Sequence, residues 1–208
     1  MVKIEKICEN ISDYISRELN FNEDKKSVIN YGIFAFIHMM ICILLVMIVG
    51  FIFNVMVEAL IISFTTSILR KSSGGVHANS PEKCAVIGTI SSIGLALIVK
   101  NCNLNYIMNI FIGSIIFMFS YYIIYKLAPV DSVSKPIKNI KKIRKLKRAS
   151  IITTSIYLGI SIVDIVLYFL VEEHVFLTYS MCIYMGLLWQ VFSLTQNGHR
   201  ILGKLNTI

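Results

Sequence analysis

One fifteen-residue stretch puts a histidine and a cysteine into the same short polar segment: Arg70-Lys71-Ser72-Ser73-Gly74-Gly75-Val76-His77-Ala78-Asn79-Ser80-Pro81-Glu82-Lys83-Cys84. A thiolate is a competent nucleophile, and a histidine nearby can carry a proton to its leaving group. The remaining cysteines (Cys8, Cys42, Cys102, Cys182) and histidines (His38, His174, His199) fall in apolar runs, short turns or near the ends. There a cysteine behaves as a small hydrophobe. Cys84 differs because Asn79-Ser80-Pro81 is a helix-start signal, with Ser80 a good N-cap and Pro81 suited to the first helical position. Cys84 then sits in the first turn, beside unsatisfied N–H groups, the positive end of the helix dipole and Lys83, all of which favour thiolate.

Spacing alone does not make a catalytic pair. In one unbroken helix, residues 77 and 84 would stand about 10 Å apart, against a hydrogen-bond reach of about 2.6–3.2 Å. The chain must fold back at Asn79–Pro81, and Gly74-Gly75 provides backbone that another peptide can approach closely. Three readings stay open on the residues themselves: a Cys–His pair, an inert loop with a stray histidine, or a metal site, for which two ligands fall short of four. Glu82 is close, but first-turn spacing assigns it to the helix dipole. Rossmann, P-loop, HExxH and CxxC patterns are absent, so no cofactor, nucleotide or structural metal is expected.

The elements that must position this loop are membrane spans. Of 208 residues, 15% are charged, against roughly 25% in soluble proteins. Apolar residues make up 56% of the chain, and mean hydropathy is +0.72. That composition excludes disorder; five scattered cysteines do not form a disulfide framework. The first thirty residues hold eleven charges and no apolar core of a signal peptide. Ile4, Ile7, Cys8, Ile11, Tyr14, Ile15 and Leu19 recur there at helical spacing, which predicts an amphipathic helix on a membrane face or on the protein's own loops.

Six apolar runs follow, at Val28–Phe53, Val55–Leu69, Cys84–Val99, Tyr106–Tyr125, Ala149–Val171 and Val175–Leu194. Crossing the hydrocarbon takes about 20 residues; the second run, with fifteen residues and Glu58, is short. With six crossings and the N-terminus inside, nineteen of the twenty basic residues lie inside and only Lys100 outside. This matches the positive-inside rule. A hairpin in which neither of the first two runs fully crosses would preserve the same parity. The expected fold is an all-α integral membrane protein, a single domain over 1–208 with about six transmembrane helices and both termini cytosolic. Its parts are an amphipathic segment over 1–27, a chemistry-bearing loop over 70–84 and a basic cytosolic loop over 126–148. The net charge of +8 sits in loops flanking the membrane, which argues for topology and membrane lipid and against nucleic acid.

At Arg70…Gly74-Gly75-x-His77-Ala78…Cys84 the chain resembles the accessory gene regulator B (AgrB) family, membrane peptidases that mature cyclic quorum-sensing peptides in Gram-positive bacteria. A second stretch, Ala128-Pro129-Val130-Asp131…Ser134-Lys135-Pro136, is similar to the family's Ala-Pro-x-Asp…Asn-Lys-Pro, with Ser134 in place of Asn. The resemblance implies that Cys84 and His77 are the catalytic pair, with Arg70, Gly74 and Gly75 as the supporting loop. It implies a small AgrD-like precursor peptide as partner, cleaved through a thioester and closed to a lactone or thiolactone, and a homodimer. It also implies an acidic precursor tail, which Lys141, Lys142 and Lys145 of the basic loop could hold. The alternative reading is a peptide exporter without peptidase chemistry. It would rest on Glu58 and Asp164, ionisable residues within apolar runs, although both could equally serve helix packing. A membrane receptor is disfavoured by the tiny outer turns.

Overall fold

In hydrocarbon every backbone N–H and C=O must find its partner within the protein, and a long apolar run does so by coiling into a helix. The computed structural model, described for residues 2–75, 80–102, 105–130 and 139–205, follows that rule. Its elements are α1 (Val2–Glu18), α2 (Glu23–Ile52), α3 (Met56–Ser73), α4 (Pro81–Asn101), α5 (Tyr106–Leu127), α6 (Ile140–Val171), α7 (Val175–Leu194) and α8 (Gln196–Leu205). Short polar residues start three of them: Ser80, Asn105 and Asn139 each accept a hydrogen bond from a backbone N–H of the following first turn. Five helices, α2 and α4 to α7, are long and apolar enough to cross a membrane. The protein is thus an all-α, multi-pass membrane protein. The short second run forms α3, whose eighteen residues include Glu58, Arg70 and Lys71 and which is not among those five.

The chain divides into two units, Met1–Leu45 and Val46–Ile208. In the first, α1 buries the small residues Cys8, Ser12 and Ser16, one per turn, and leaves Ile7, Ile11 and Tyr14 exposed. The expected amphipathic helix therefore carries an uncovered apolar face. Lys26 bridges to Asp13 at 2.7 Å, and that partner raises the lysine above its ordinary pKa.

In the second unit α7 is the central helix, touching α3, α4, α5, α6 and α8. Of its apolar window 56% is buried, against 6% for α2. Small residues let helix backbones approach closely: a Cβ on Gly186 of α7 would meet the Ile62 carbonyl of α3 at 2.9 Å. Polar groups tie the helices together, with Tyr157 Oη donating to Thr65 O at 3.0 Å and Asn109 Nδ2 to Leu177 O at 3.0 Å. Large apolar residues such as Ile90, Phe111, Met118, Ile152 and Val163 face outward.

Among the described residues, both expected loops are helical in part. Arg70–Ser73 completes α3, and Pro81–Cys84 opens α4. Of the basic segment, Lys126 ends α5 and Lys141 to Arg148 stand on the first turns of α6. At 1.5 Å per residue the 32 residues of α6 span about 48 Å, well beyond the roughly 30 Å of hydrocarbon. A run of bases can therefore be helical because it projects past the apolar slab.

A candidate active site around Cys84 and the glycine pair

Ser80 adopts extended backbone and its Oγ accepts the Lys83 N–H at 3.3 Å, with Pro81 at the helix start. The Cys84 N–H bonds to Ser80 O at 3.1 Å. The half-buried Cys84 thiol thus lies in the first turn of α4, where the sequence signal put it. His77 lies outside the described residues, together with Val76, Ala78 and Asn79.

The glycine pair is held from three sides. Gly74 ends α3 with its N–H on Arg70 O at 3.0 Å, at φ +72°, a left-handed conformation that suits glycine. The chain after α5 runs alongside, Val130 N–H donating to Ser73 O at 2.9 Å. A Cβ on Gly74 would collide with the Val130 carbonyl. From α7, the fully buried Gln190 donates through Nε2 to Gly74 O at 2.8 Å and to Ser73 Oγ at 3.0 Å. Gly75, at φ +126°, leaves no room either: a Cβ there would meet Ser193 Oγ at 2.8 Å. The two sequence stretches that carry the family resemblance are therefore in contact at Gly74 and Val130. Asp131, Ser134, Lys135 and Pro136 lie outside the described residues.

Arg70 occupies the last turn of α3. Burial pushes its guanidinium below the ordinary value, and a negative Cys84 pushes it back up. The two groups are within electrostatic reach of each other. Because a guanidinium stays charged in proteins, Arg70 is a fixed cation within electrostatic reach of the Cys84 thiol.

The remaining candidates lie elsewhere. Lys141 and Lys145, joined by Arg144 and Arg148, line a groove of about 490 Å³ floored by Ala149 and Ile152; Lys142 is not part of that lining. Cys102 and His174 border a second cavity, of about 440 Å³, beyond the far end of α4 from Cys84. His38 Nε2 and Cys42 Sγ touch at 3.5 Å one turn apart on α2, a Cys–His contact that the sequence reading passed over. Glu58 is half-buried in α3, and the half-buried Asp164 of α6 has an enclosed Oδ2 with no hydrogen-bond partner among the described residues. No cluster of three metal-ligating side chains occurs among those residues. Gln190 and Ser193 were missed from the sequence, while Ser73 and Val130 fell inside the two quoted stretches without being given a part. The available signal was an amide side chain, Gln190, inside an otherwise apolar run.

Residues 8–194 match the model of the family described as accessory gene regulator B. A protein named only as AgrB-like, from Clostridium perfringens strain SM101, is 40% identical over 98% of this chain and 97% of its own length. AgrB-like protein 2 of strain 13 is 39% identical over the same shares, and AgrB-like protein 1 of that strain is 26% identical over 76% of this chain and 82% of its own. No solved structure matches the chain significantly. With a family match over most of its length and relatives of this identity, the chain belongs to the accessory gene regulator B family, multi-pass membrane proteins of quorum-sensing peptide processing.

Proposed function

We propose that this protein is a membrane cysteine endopeptidase that removes the C-terminal tail of an AgrD-like precursor and allows the remainder to cyclise. The observation that carries the reading is the half-buried Cys84 thiol, set in a capped first helical turn within electrostatic reach of the Arg70 guanidinium. The Cys84 thiolate attacks the carbonyl carbon of a precursor peptide bond. The C–N bond breaks, and His77 gives its proton to the departing amine. The thioester left on Cys84 stays activated, so an internal Cys or Ser of the precursor can displace Cys84 and close a thiolactone or lactone without ATP, provided water is kept out. The reaction takes place on the cytosolic face, in a homodimer surrounded by membrane lipid. Intact mass after mixing with a synthetic precursor tests this: the chain should gain the mass of the precursor without its tail, lost on hydroxylamine treatment. A chain that releases tail peptide but never carries an adduct on Cys84 would refute it.

The orientation has its own test. Lys142 and Asn101 are both exposed. In intact cells, with the exposed Cys102 replaced, a cysteine at Asn101 should react with impermeant maleimide and one at Lys142 only after permeabilisation. The reverse pattern would put Cys84 on the outer face.

Lys141, Lys142 and Lys145 hold the acidic precursor tail in this reading. Reversing all three to Glu should raise KM for the precursor about tenfold or more with kcat little changed, since a contact to a charged group contributes about 1.5–3 kcal/mol and 1.4 kcal/mol is tenfold. The effect should shrink as salt rises toward about 1 M, where the Debye length is about 3 Å. Because Lys141 and Lys145 share the groove with Arg144 and Arg148, K142E alone should do least. An unchanged KM in neutral detergent would leave these bases to orientation and lipid contact.

A further inference from the structure

We infer that the membrane end of the α6 groove is a binding site for an anionic phospholipid, with its phosphate on Arg144 and Arg148 and an acyl chain on the apolar stripe that continues from them. The site needs only that α6 crosses the bilayer, and it stands whether or not Cys84 is a nucleophile.

Arg144, Arg148, Ile152, Ile156, Gly159 and Val163 follow one another at steps of three and four residues, so they share one face of α6. All six are exposed. Their order is that of an amphiphile, two guanidiniums first and apolar residues after them. The apolar run that opens at Ala149 has about the length that crosses hydrocarbon, which puts Arg148 at the level of the lipid phosphates. Beside the two arginines the groove is floored by Ala149 and Ile152. Further along, a Cβ on Gly159 would meet nothing within 4 Å, so the stripe has a dent between Ile156 and Val163 that a chain can fill.

Charge selects the head of the occupant. The ion pairs among the described residues both belong to Lys26, so neither guanidinium has an acidic partner there. No Asp or Glu occurs in the sequence between Asp131 and Asp164. Neighbouring Lys147 is engaged differently, its ammonium standing 4.3 Å from the centre of the Tyr125 ring. A guanidinium is weakly hydrated, and its planar fork matches two phosphate oxygens. Bases that flank a span attract anionic lipid. A zwitterionic choline head would instead bring an ammonium toward the two cations. An acidic peptide could meet the arginines, but it would leave the apolar floor and the stripe beyond it uncovered. An occupant with both a phosphate and an acyl chain satisfies both parts of the face.

The test is photolabelling of the full chain in neutral detergent by phosphatidylglycerol that carries a diazirine in one acyl chain, with adducts mapped by peptide mass. Label on α6 between Ile152 and Val163 is expected to exceed that at the exposed Phe111 and Met118 of α5. Unlabelled phosphatidylglycerol should displace it at a concentration where phosphatidylcholine does not. In R144Q/R148Q the α6 label should fall about tenfold or more, as for lost charge contacts, with the α5 label unchanged. R144K/R148K, which keeps the charges, should lose less. Equal displacement by phosphatidylcholine, or full α6 label in R144Q/R148Q, would make the stripe ordinary lipid-facing surface and overturn the site. Displacement by glycerol phosphate would mean that the arginines bind phosphate without a lipid. Displacement by an acidic peptide would give them to the precursor tail, and either result overturns the inference. Labels on α5 and α6 falling together in both variants would overturn it too, because the arginines would then hold the fold.

Discussion

Precursor cleavage is expected to vanish in C84A and to persist, at most of its wild-type rate, when Cys8, Cys42, Cys102 or Cys182 is replaced by alanine. The physical grounds are the surroundings of each thiol. Cys84 alone combines a helix N-terminus with a cation in reach, the Arg70 guanidinium. Cys42 is the informative control, because it makes a Cys–His contact of its own at 3.5 Å with His38. That pair sits far along α2, within the apolar stretch, where a thiolate would have to form without helix dipole or water. Cys8 and Cys182 are buried. The measurement is release of the tail from a synthetic precursor by membranes carrying each variant at equal abundance. Normal cleavage by C84A, or loss of cleavage in C42A with the protein intact, would move the nucleophile elsewhere.

Replacing His77 by alanine should slow acylation of Cys84 by about 10²–10⁴-fold, the usual contribution of a positioned acid or base, while leaving the protein monodisperse in detergent. In the proposed reaction His77 gives its proton to the departing amine in the first step. A precursor with an ester in place of the scissile amide should therefore lose much less, because an alkoxide leaves more readily than an amide anion. Single-turnover rates with both peptides separate a proton donor from a loop residue. Equal losses on amide and ester would make His77 a structural support, and an unchanged amide rate would remove it from the site.

The helices and their caps were legible from residues close together in the chain. Asn79-Ser80-Pro81 announced the start of α4, and Ser80 does cap it, because a cap is a contact over three residues. The apolar runs gave the membrane class, since in hydrocarbon a run of that length can only be helical. The second run, short as it is, was expected to make one of about six crossings, yet α3 is not among the five helices long and apolar enough to cross. The loop boundaries were less legible: the bases of the 126–148 segment look like loop by charge, yet Lys141 to Arg148 begin α6, because lysine and arginine are good helix formers wherever a helix can project into water.

The candidate site divides along the same line. Cys84 and Gly74-Gly75 could be singled out by residue type and local signal. What holds them could not, because it comes from other helices. Gln190 bonds to Gly74 across 116 residues of chain, Val130 reaches Ser73 from the end of α5, and Arg70 comes within reach of Cys84 from the last turn of α3. Short-range periodicity determines which face of each helix is apolar. Which polar groups then meet between helices is decided by how the faces pack, a property of the bundle and of no single stretch of chain.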